Sequence, residues 1–165
     1  MTEEVAHRSH WEIFEVVFGV PFLVGIVIHL IAPFSLPQGI FRLAFIPIGI
    51  ILITVGVSFV ILARREFAHH GQPTDPGLPT SKIVVSGVFS FSRNPLCLGG
   101  IIVLCGLALI LNVLWALVML IPSIIICHYV LIFPEERYLT VKFGKEYKEY
   151  AASVQRWLGR KQITH

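Results

Sequence analysis

Charged residues are scarce in this chain of 165 residues. Asp, Glu, Lys and Arg make up 14% of it, against about 25% in a typical soluble protein. Hydrophobic residues make up 55%, and the mean hydropathy is +0.78. The net charge is +3 and no dense run of Lys or Arg occurs, which argues against nucleic-acid binding. The composition predicts an integral membrane protein.

Cysteine is also sparse, and its spacing excludes two kinds of site. The chain has three cysteines, Cys97, Cys105 and Cys127. None belongs to a Cys-x-x-Cys pair, so neither a zinc site nor a dithiol redox motif is predicted. His69, His70 and Asp75 lie on a Pro- and Gly-rich loop without the spacing of metal ligands. We therefore predict no metal site.

The long apolar runs predict the fold. Residues 12–32 and 40–63 are each long enough for a transmembrane helix. The apolar stretch that follows fits two further spans, 96–111 and 113–133, which form a tight helical hairpin turning at Asn112. We predict a single all-α domain over 1–165, with about four transmembrane helices, a polar loop over 64–95 and an amphipathic tail over 134–158.

Lysine and arginine predict the orientation of these spans. At the turns between the first two spans and between the last two, the only lysine or arginine is Arg42, at the start of the second span. The 64–95 loop and the tail are much richer in basic residues: Arg64, Arg65, Lys82, Arg93, Arg137, Lys142, Lys145, Lys148, Arg156, Arg160 and Lys161. The positive-inside rule then places the loop, the tail and both termini in the cytoplasm.

The few polar groups of the chain are concentrated in the stretch 86–100 and at the start of the tail. Arg93 precedes a span and must pair with a carboxylate, a ligand or the headgroup layer. Asn94 stands before Pro95, where an extended or turn conformation leaves its amide free to bind a ligand. Glu135 and Glu136 supply acceptors at the other segment. The structural alternative is an ion pair from Arg93 to one of these glutamates, which fixes the tail to the core.

Four ordered elements resemble a known superfamily. Arg93-Asn94-Pro95-Leu96-Cys97-Leu98-Gly99 is similar to the Arg-(His/Asn)-Pro-x-Tyr-x-Gly motif of the isoprenylcysteine carboxyl methyltransferase and phospholipid methyltransferase superfamily of integral membrane enzymes. Glu135-Glu136-Arg137-Tyr138-Leu139 and the Phe-Gly-x-x-Tyr-x-x-Tyr run from Phe143 to Tyr150 resemble two later elements. Val154-Gln155-Arg156-Trp157 resembles the closing Val-Pro-Arg-Trp. Cys97 stands where the superfamily usually has tyrosine.

The resemblance implies an S-adenosylmethionine-dependent methyltransferase whose cofactor binds at the cytoplasmic face. Carried over to this chain, it implies that the cofactor is held by Ile83, Val84, Phe89, Asn94, Pro95, Leu96, Cys97, Glu135 and Glu136. The implied partners are membrane lipids and a hydrophobic or prenylated methyl acceptor that enters from the bilayer. The candidates for a catalytic role are Arg93, Glu136 and His128, and no base is assigned.

Two other interpretations fit parts of the sequence. A non-catalytic membrane scaffold or lipid-binding protein that has kept this fold is consistent with Cys97 and with the absence of an arginine near Leu131. An oxidoreductase related to membrane sterol reductases has a similar tail. It requires a nicotinamide site, and no strand–GxGxxG–helix unit occurs in the chain. The identity of the bound cofactor separates the three.

Overall fold

The computed structural model describes residues 15–37, 39–72 and 81–160. Residues 12–14 of the first predicted span, Asp75, Lys161 and both termini lie outside these ranges. The helices are α1 (Val20–Ile31, after a π-helical turn Glu15–Gly19), α2 (Ile40–His69), α3 (Pro95–Leu111), α4 (Leu114–Cys127), α5 (Phe133–Phe143) and α6 (Lys145–Ser153). A 3₁₀ turn covers Gly87–Ser90 and a π-helical turn covers His128–Ile132. Apart from one isolated β-bridge, the regular structure of the described residues is helical, which confirms the all-α prediction.

Among the described residues, two helices are long and apolar enough to cross a membrane. One is α2, and the other is the continuous helix Leu114–Phe143, which comprises α4, the π-turn and α5. Glu15–Ile31 and Pro95–Leu111 are shorter apolar helices. The helix α2 extends to His69, beyond the predicted end of its span at residue 63, since backbone hydrogen bonding does not stop where hydropathy falls.

Glycine pairs bring α2 and α3 into close contact. A Cβ added to Gly56 would lie 2.5 Å from the carbonyl oxygen of Gly99, and one added to Gly49 would lie 2.7 Å from that of Gly106. The reverse distances, from Gly99 to Gly56 O and from Gly106 to Gly49 O, are 2.7 and 2.6 Å. Without side chains at these positions the two backbones approach directly, which is how small residues stabilise helix pairs in membranes.

The helix α1 packs on α4 in a similar way. A Cβ on Gly25 would lie 2.7 Å from Ala116 Cα, and Trp115 Nε1 donates a 2.9 Å hydrogen bond to Ala32 O. The turn between α3 and α4 has Asn112 in the left-handed conformation (φ 59°, ψ 39°). Its Oδ1 accepts a 3.1 Å bond from the backbone N–H of Leu36. The α1–α2 connection and the α3–α4 turn therefore lie together at one end of the bundle.

The continuous helix Leu114–Phe143 does not end before Pro134, although the last span was predicted to end at residue 133. The wider π-turn His128–Ile132 precedes the proline, and Pro134 occupies the first turn of α5, where a missing N–H costs least. Gly144 (φ 56°) separates α5 from α6. This break turns α6 back over the end of the bundle opposite Asn112.

Candidate active site

A polar cleft lies at this second end of the bundle. It encloses about 500 Å³ of space, partly open to solvent. The end of α2, the segment 82–94, α5 and α6 contribute its walls. The lining residues are Phe67, Lys82, Ile83, Val84, Phe89, Arg93, Asn94, Glu135, Glu136, Leu139, Tyr147 and Tyr150.

The segment 81–94 is attached to the end of α2 by polar contacts. Gln72 is 5% exposed; its Nε2 donates to Ser81 Oγ at 2.9 Å, and its Oε1 accepts from the Ser81 N–H at 2.8 Å. Ser86 Oγ donates to the Glu66 carboxylate. The Phe67 and Phe89 rings pack with centroids 4.8 Å apart. These contacts give the cleft an aromatic and aliphatic wall.

Two arginines share the carboxylate of Glu136. Arg93 Nη1 lies 2.9 Å from Glu136 Oε1. Arg156 donates from Nε to Oε1 at 2.9 Å and from Nη2 to Oε2 at 2.7 Å. Arg93 Nη1 also donates to Tyr147 Oη at 3.4 Å, while Arg93 Nε is buried and has no hydrogen-bond partner among the described residues. The ion pair that joins Arg93 to the tail is thus present, and it uses Glu136.

The neighbouring Glu135 has a different environment. Within the described residues it makes no hydrogen bond or ion pair, and its side chain is solvent-accessible at the cleft. Consecutive residues of a helix point about 100° apart, so Glu136 bonds the arginines and Glu135 does not, although both line the cleft. Of the two predicted acceptors, Glu135 is the one available to a ligand.

Backbone and side-chain hydrogen bonds fix the region around Asn94. Its backbone N–H donates to the buried Ser92 Oγ at 3.1 Å, and its Nδ2 donates to Arg156 O at 3.3 Å. Tyr150 Oη donates to Phe89 O at 2.8 Å in a buried contact. These bonds hold Phe89 and Asn94 on the same side of the cleft.

Burial raises the pKa of two phenols in the cleft. Burial is the larger cause for Tyr147, and the Glu136 charge adds to it. Burial also raises the pKa of Tyr150, with Tyr147 as the second cause. The hydrogen bonds from Arg156 to Glu136 raise the pKa of the Arg156 guanidinium. Both tyrosines are therefore neutral hydrogen-bond donors at physiological pH.

The cleft brings together most of the residues expected to hold a cofactor. Ile83, Val84, Phe89, Asn94, Glu135 and Glu136 line it, together with Arg93, one of the catalytic candidates. Pro95, Leu96 and Cys97 do not line it. Pro95 is buried at the start of α3, Leu96 packs against Val84 and Phe89, and Cys97 packs against the main core. His128 lies outside it and accepts at Nδ1 from Arg156 Nη1 at 3.5 Å when its ring is neutral.

Sequence reasoning missed five residues of the lining: Phe67, Lys82, Leu139, Tyr147 and Tyr150. The last three lie within the two tail elements that carry the resemblance, so those motifs could have identified them. Phe67 had no such signal because it lies beyond the predicted span. Of the loop histidines, His70 contacts Glu66 and Ser86, and the described residues contain no group of three His, Cys, Asp or Glu that could hold a metal ion.

The phospholipid methyltransferase family matches residues 44–146 of the chain. This match covers more than half of the 165 residues, so the chain belongs to that family of membrane methyltransferases, as the sequence motifs indicated. The match includes every residue of the cleft lining except Tyr147 and Tyr150. No curated protein and no solved structure matches the chain.

Proposed function

We propose that the protein transfers a methyl group from S-adenosylmethionine to a lipidic acceptor at the cytoplasmic face of a membrane. The observation that carries the proposal is the convergence of Phe89, Asn94 and Glu135 in one cleft at the end of apolar helices. Family membership supports methyl transfer, and the cleft supports the choice of cofactor. The acceptor class follows from the apolar surroundings.

The residues of the cleft suit the chemical groups of S-adenosylmethionine. Phe67, Val84 and Phe89 offer apolar surface to an adenine ring. The Glu135 carboxylate, without a partner in the described residues, can accept from a ribose diol. The lining has two basic side chains, Lys82 and Arg93, and two acidic ones, Glu135 and Glu136.

For methyl transfer the protein needs mainly to align the reacting groups and to exclude water from the site. When bound, S-adenosylmethionine supplies an already activated methyl group. The protein residues bind, orient and exclude water. Glu136 is held by Arg93 and Arg156, and we assign it to orienting Arg93 rather than to accepting a proton. A carboxylate acceptor needs no base, and for an amine acceptor we assign none.

We further propose that all four apolar helices cross the membrane. The helix Pro95–Leu111 has 17 residues, which gives a length of about 25 Å, slightly less than a hydrocarbon core of about 30 Å. It packs on α2 along the glycine pairs. The basic residues cluster at the cleft end, which supports a cytoplasmic cleft. Reporter fusions after residues 72 and 112 test this: a cytoplasmic signal at 112 or an external one at 72 refutes the orientation.

Calorimetry with the detergent-purified chain tests the cofactor. We expect S-adenosylmethionine and S-adenosylhomocysteine to bind, and Glu135→Gln and Asn94→Ala to weaken binding by about tenfold or more, as for loss of a charged or buried hydrogen bond. Glu149→Gln is the matched control, because Glu149 is 68% exposed and pairs with Lys145 on the surface. No binding by folded wild-type protein would refute the proposal and favour the non-catalytic scaffold.

The acceptor is identified by a second assay. Wild-type protein in bilayers receives S-adenosylmethionine labelled in the methyl group, with either an aminophospholipid or a prenylated cysteine acid. Label in the first supports an amine acceptor, and base-labile label in the second supports a carboxylate. Label in neither, from a protein that binds the cofactor, limits the acceptor to another membrane lipid.

A further inference from the structure

The last described residues fold back onto the wall of the cleft. We name residues 154–160 the C-terminal clasp. Its own ends are joined by the β-bridge between Val154 and Arg160 and by a 2.8 Å bond from Gln155 N–H to Gly159 O. The clasp is attached to the segment 90–93 by three hydrogen bonds: Gly159 N–H to Phe91 O (2.7 Å), Arg93 N–H to Gln155 O (3.2 Å) and Arg160 Nε to Ser90 O (3.3 Å).

Arg156 of the clasp contacts two residues of the cleft without lining it. Its guanidinium binds both oxygens of Glu136, at 2.9 and 2.7 Å. Its carbonyl oxygen accepts from Asn94 Nδ2 at 3.3 Å. One residue of the clasp therefore contacts both α5 and the residue that precedes α3.

The position of Arg93 depends on this arrangement. Arg93 is 9% exposed at its side chain and Glu136 is 15% exposed, so their pair is largely shielded from water. Arg93 Nη1 pairs with Oε1 of Glu136, while Arg156 bonds both Oε1 and Oε2. If Arg156 were absent, Oε2 would be free for the unpartnered Nε of Arg93, and a two-bond pair would draw Arg93 towards Glu136.

We propose that Arg156 is a positioning residue for the cofactor cleft: through Glu136 it sets the position of Arg93, and through its carbonyl it sets that of Asn94. This inference rests on the proposed function, since it assigns a role in binding the same cofactor. It also gives the C-terminal clasp a function beyond stability. Arginine is required because its planar fork bonds both carboxylate oxygens, which a lysine ammonium cannot do in the same geometry.

Calorimetry with S-adenosylhomocysteine on the full chain tests this role. We expect Arg156→Lys to weaken binding about tenfold, the loss of one charge-assisted hydrogen bond, and Glu136→Gln to weaken it comparably. Both substitutions break the same contact, between Arg156 and Glu136. The double variant is therefore expected to bind S-adenosylhomocysteine no more weakly than whichever single variant has the lower affinity. Non-additivity of ligand affinity is not expected if Arg156 only stabilises the fold. Arg137→Lys, an exposed arginine on α5 outside the cleft, is the matched control.

The outcomes separate the positioning role of Arg156 from the cofactor proposal itself. Wild-type affinity in Arg156→Lys overturns the positioning role and leaves the cofactor proposal intact, and additive losses overturn the route through Glu136. Absence of binding in folded wild-type protein overturns both proposals. If Arg156→Lys does not fold, Glu136→Asp replaces it, since a carboxylate one methylene shorter cannot reach both arginines. Unchanged affinity in folded Glu136→Asp then overturns the inference.

Discussion

The glycine pairs between α2 and α3 allow a sharp test of the fold by the substitution Gly56→Ala. The added Cβ would lie 2.5 Å from Gly99 O, 2.7 Å from Val103 Cγ2 and 2.9 Å from Val103 N. Ordinary contacts between such atoms begin at about 3.5 Å, so the helices must separate by about 1 Å. Overpacking of this kind costs about 1–3 kcal/mol. In a chain of this size each kcal/mol lowers Tm by about 2–4 °C, so we expect a decrease of about 2–12 °C.

A thiol-reactive dye measures this melting in detergent, because Cys127 is fully buried in the folded protein. The control is Gly19→Ala. Gly19 has helical angles (φ −68°, ψ −47°), and no atom lies within 4 Å of an added Cβ. Alanine there is expected to leave Tm unchanged or to raise it, since alanine is the better helix former. If Gly56→Ala has the same Tm as the wild type, or if Gly56→Ala and Gly19→Ala lose stability equally, close packing at Gly56 does not determine the stability of the α2–α3 contact.

Two further predictions concern single hydrogen bonds. Tyr150→Phe removes the bond to Phe89 O and is expected to cost about 1 kcal/mol at neutral pH. Because burial raises the pKa of Tyr150 above that of the unfolded chain, about 10, its contribution is complete below pH 10 and decreases above it. The wild-type Tm should therefore decrease more than that of Tyr150→Phe between pH 9 and 11, and parallel curves would contradict this. At the α3–α4 turn, Asn112→Ala should lower Tm more than Asn112→Gly, since both lose the Leu36 bond but only alanine is strained by the left-handed backbone. An equal decrease would remove the strain argument.

The local features that sequence reasoning identified correctly share one physical origin. Apolar runs determine which segments are helical, and Gly144 and Pro95 mark the ends of helices through their own backbone chemistry. The expected cofactor residues that line the cleft, such as Phe89 and Asn94, lie in the segment that enters α3. The resemblance of short motifs identified them, since no periodicity distinguishes such a segment.

The parts that were missed depend on distant contacts. Hydropathy ends the second span at Arg64, but α2 continues to His69, and Ser86 of the following segment contacts Glu66 on this extension and His70 directly after it. This extension carries Phe67 into the cleft. The local sequence also could not show which of the two glutamates pairs with Arg93. That choice depends on Arg156, which binds Glu136 from twenty residues further along the chain.

The two adjacent glutamates show how a single polar motif acquires two roles. The positive charges of Arg93 and Arg156 together exceed the one negative charge of Glu136. Within the described residues Glu135 is bonded to neither arginine. A buried cluster can leave one carboxylate unpaired only where another group, or solvent, completes its hydrogen bonds. Glu135 is exposed and lines the cleft, so a ligand that supplies hydroxyl or cationic groups there breaks no described protein contact. The cost of binding at Glu135 is correspondingly low, whereas a ligand at Glu136 would have to displace two arginines.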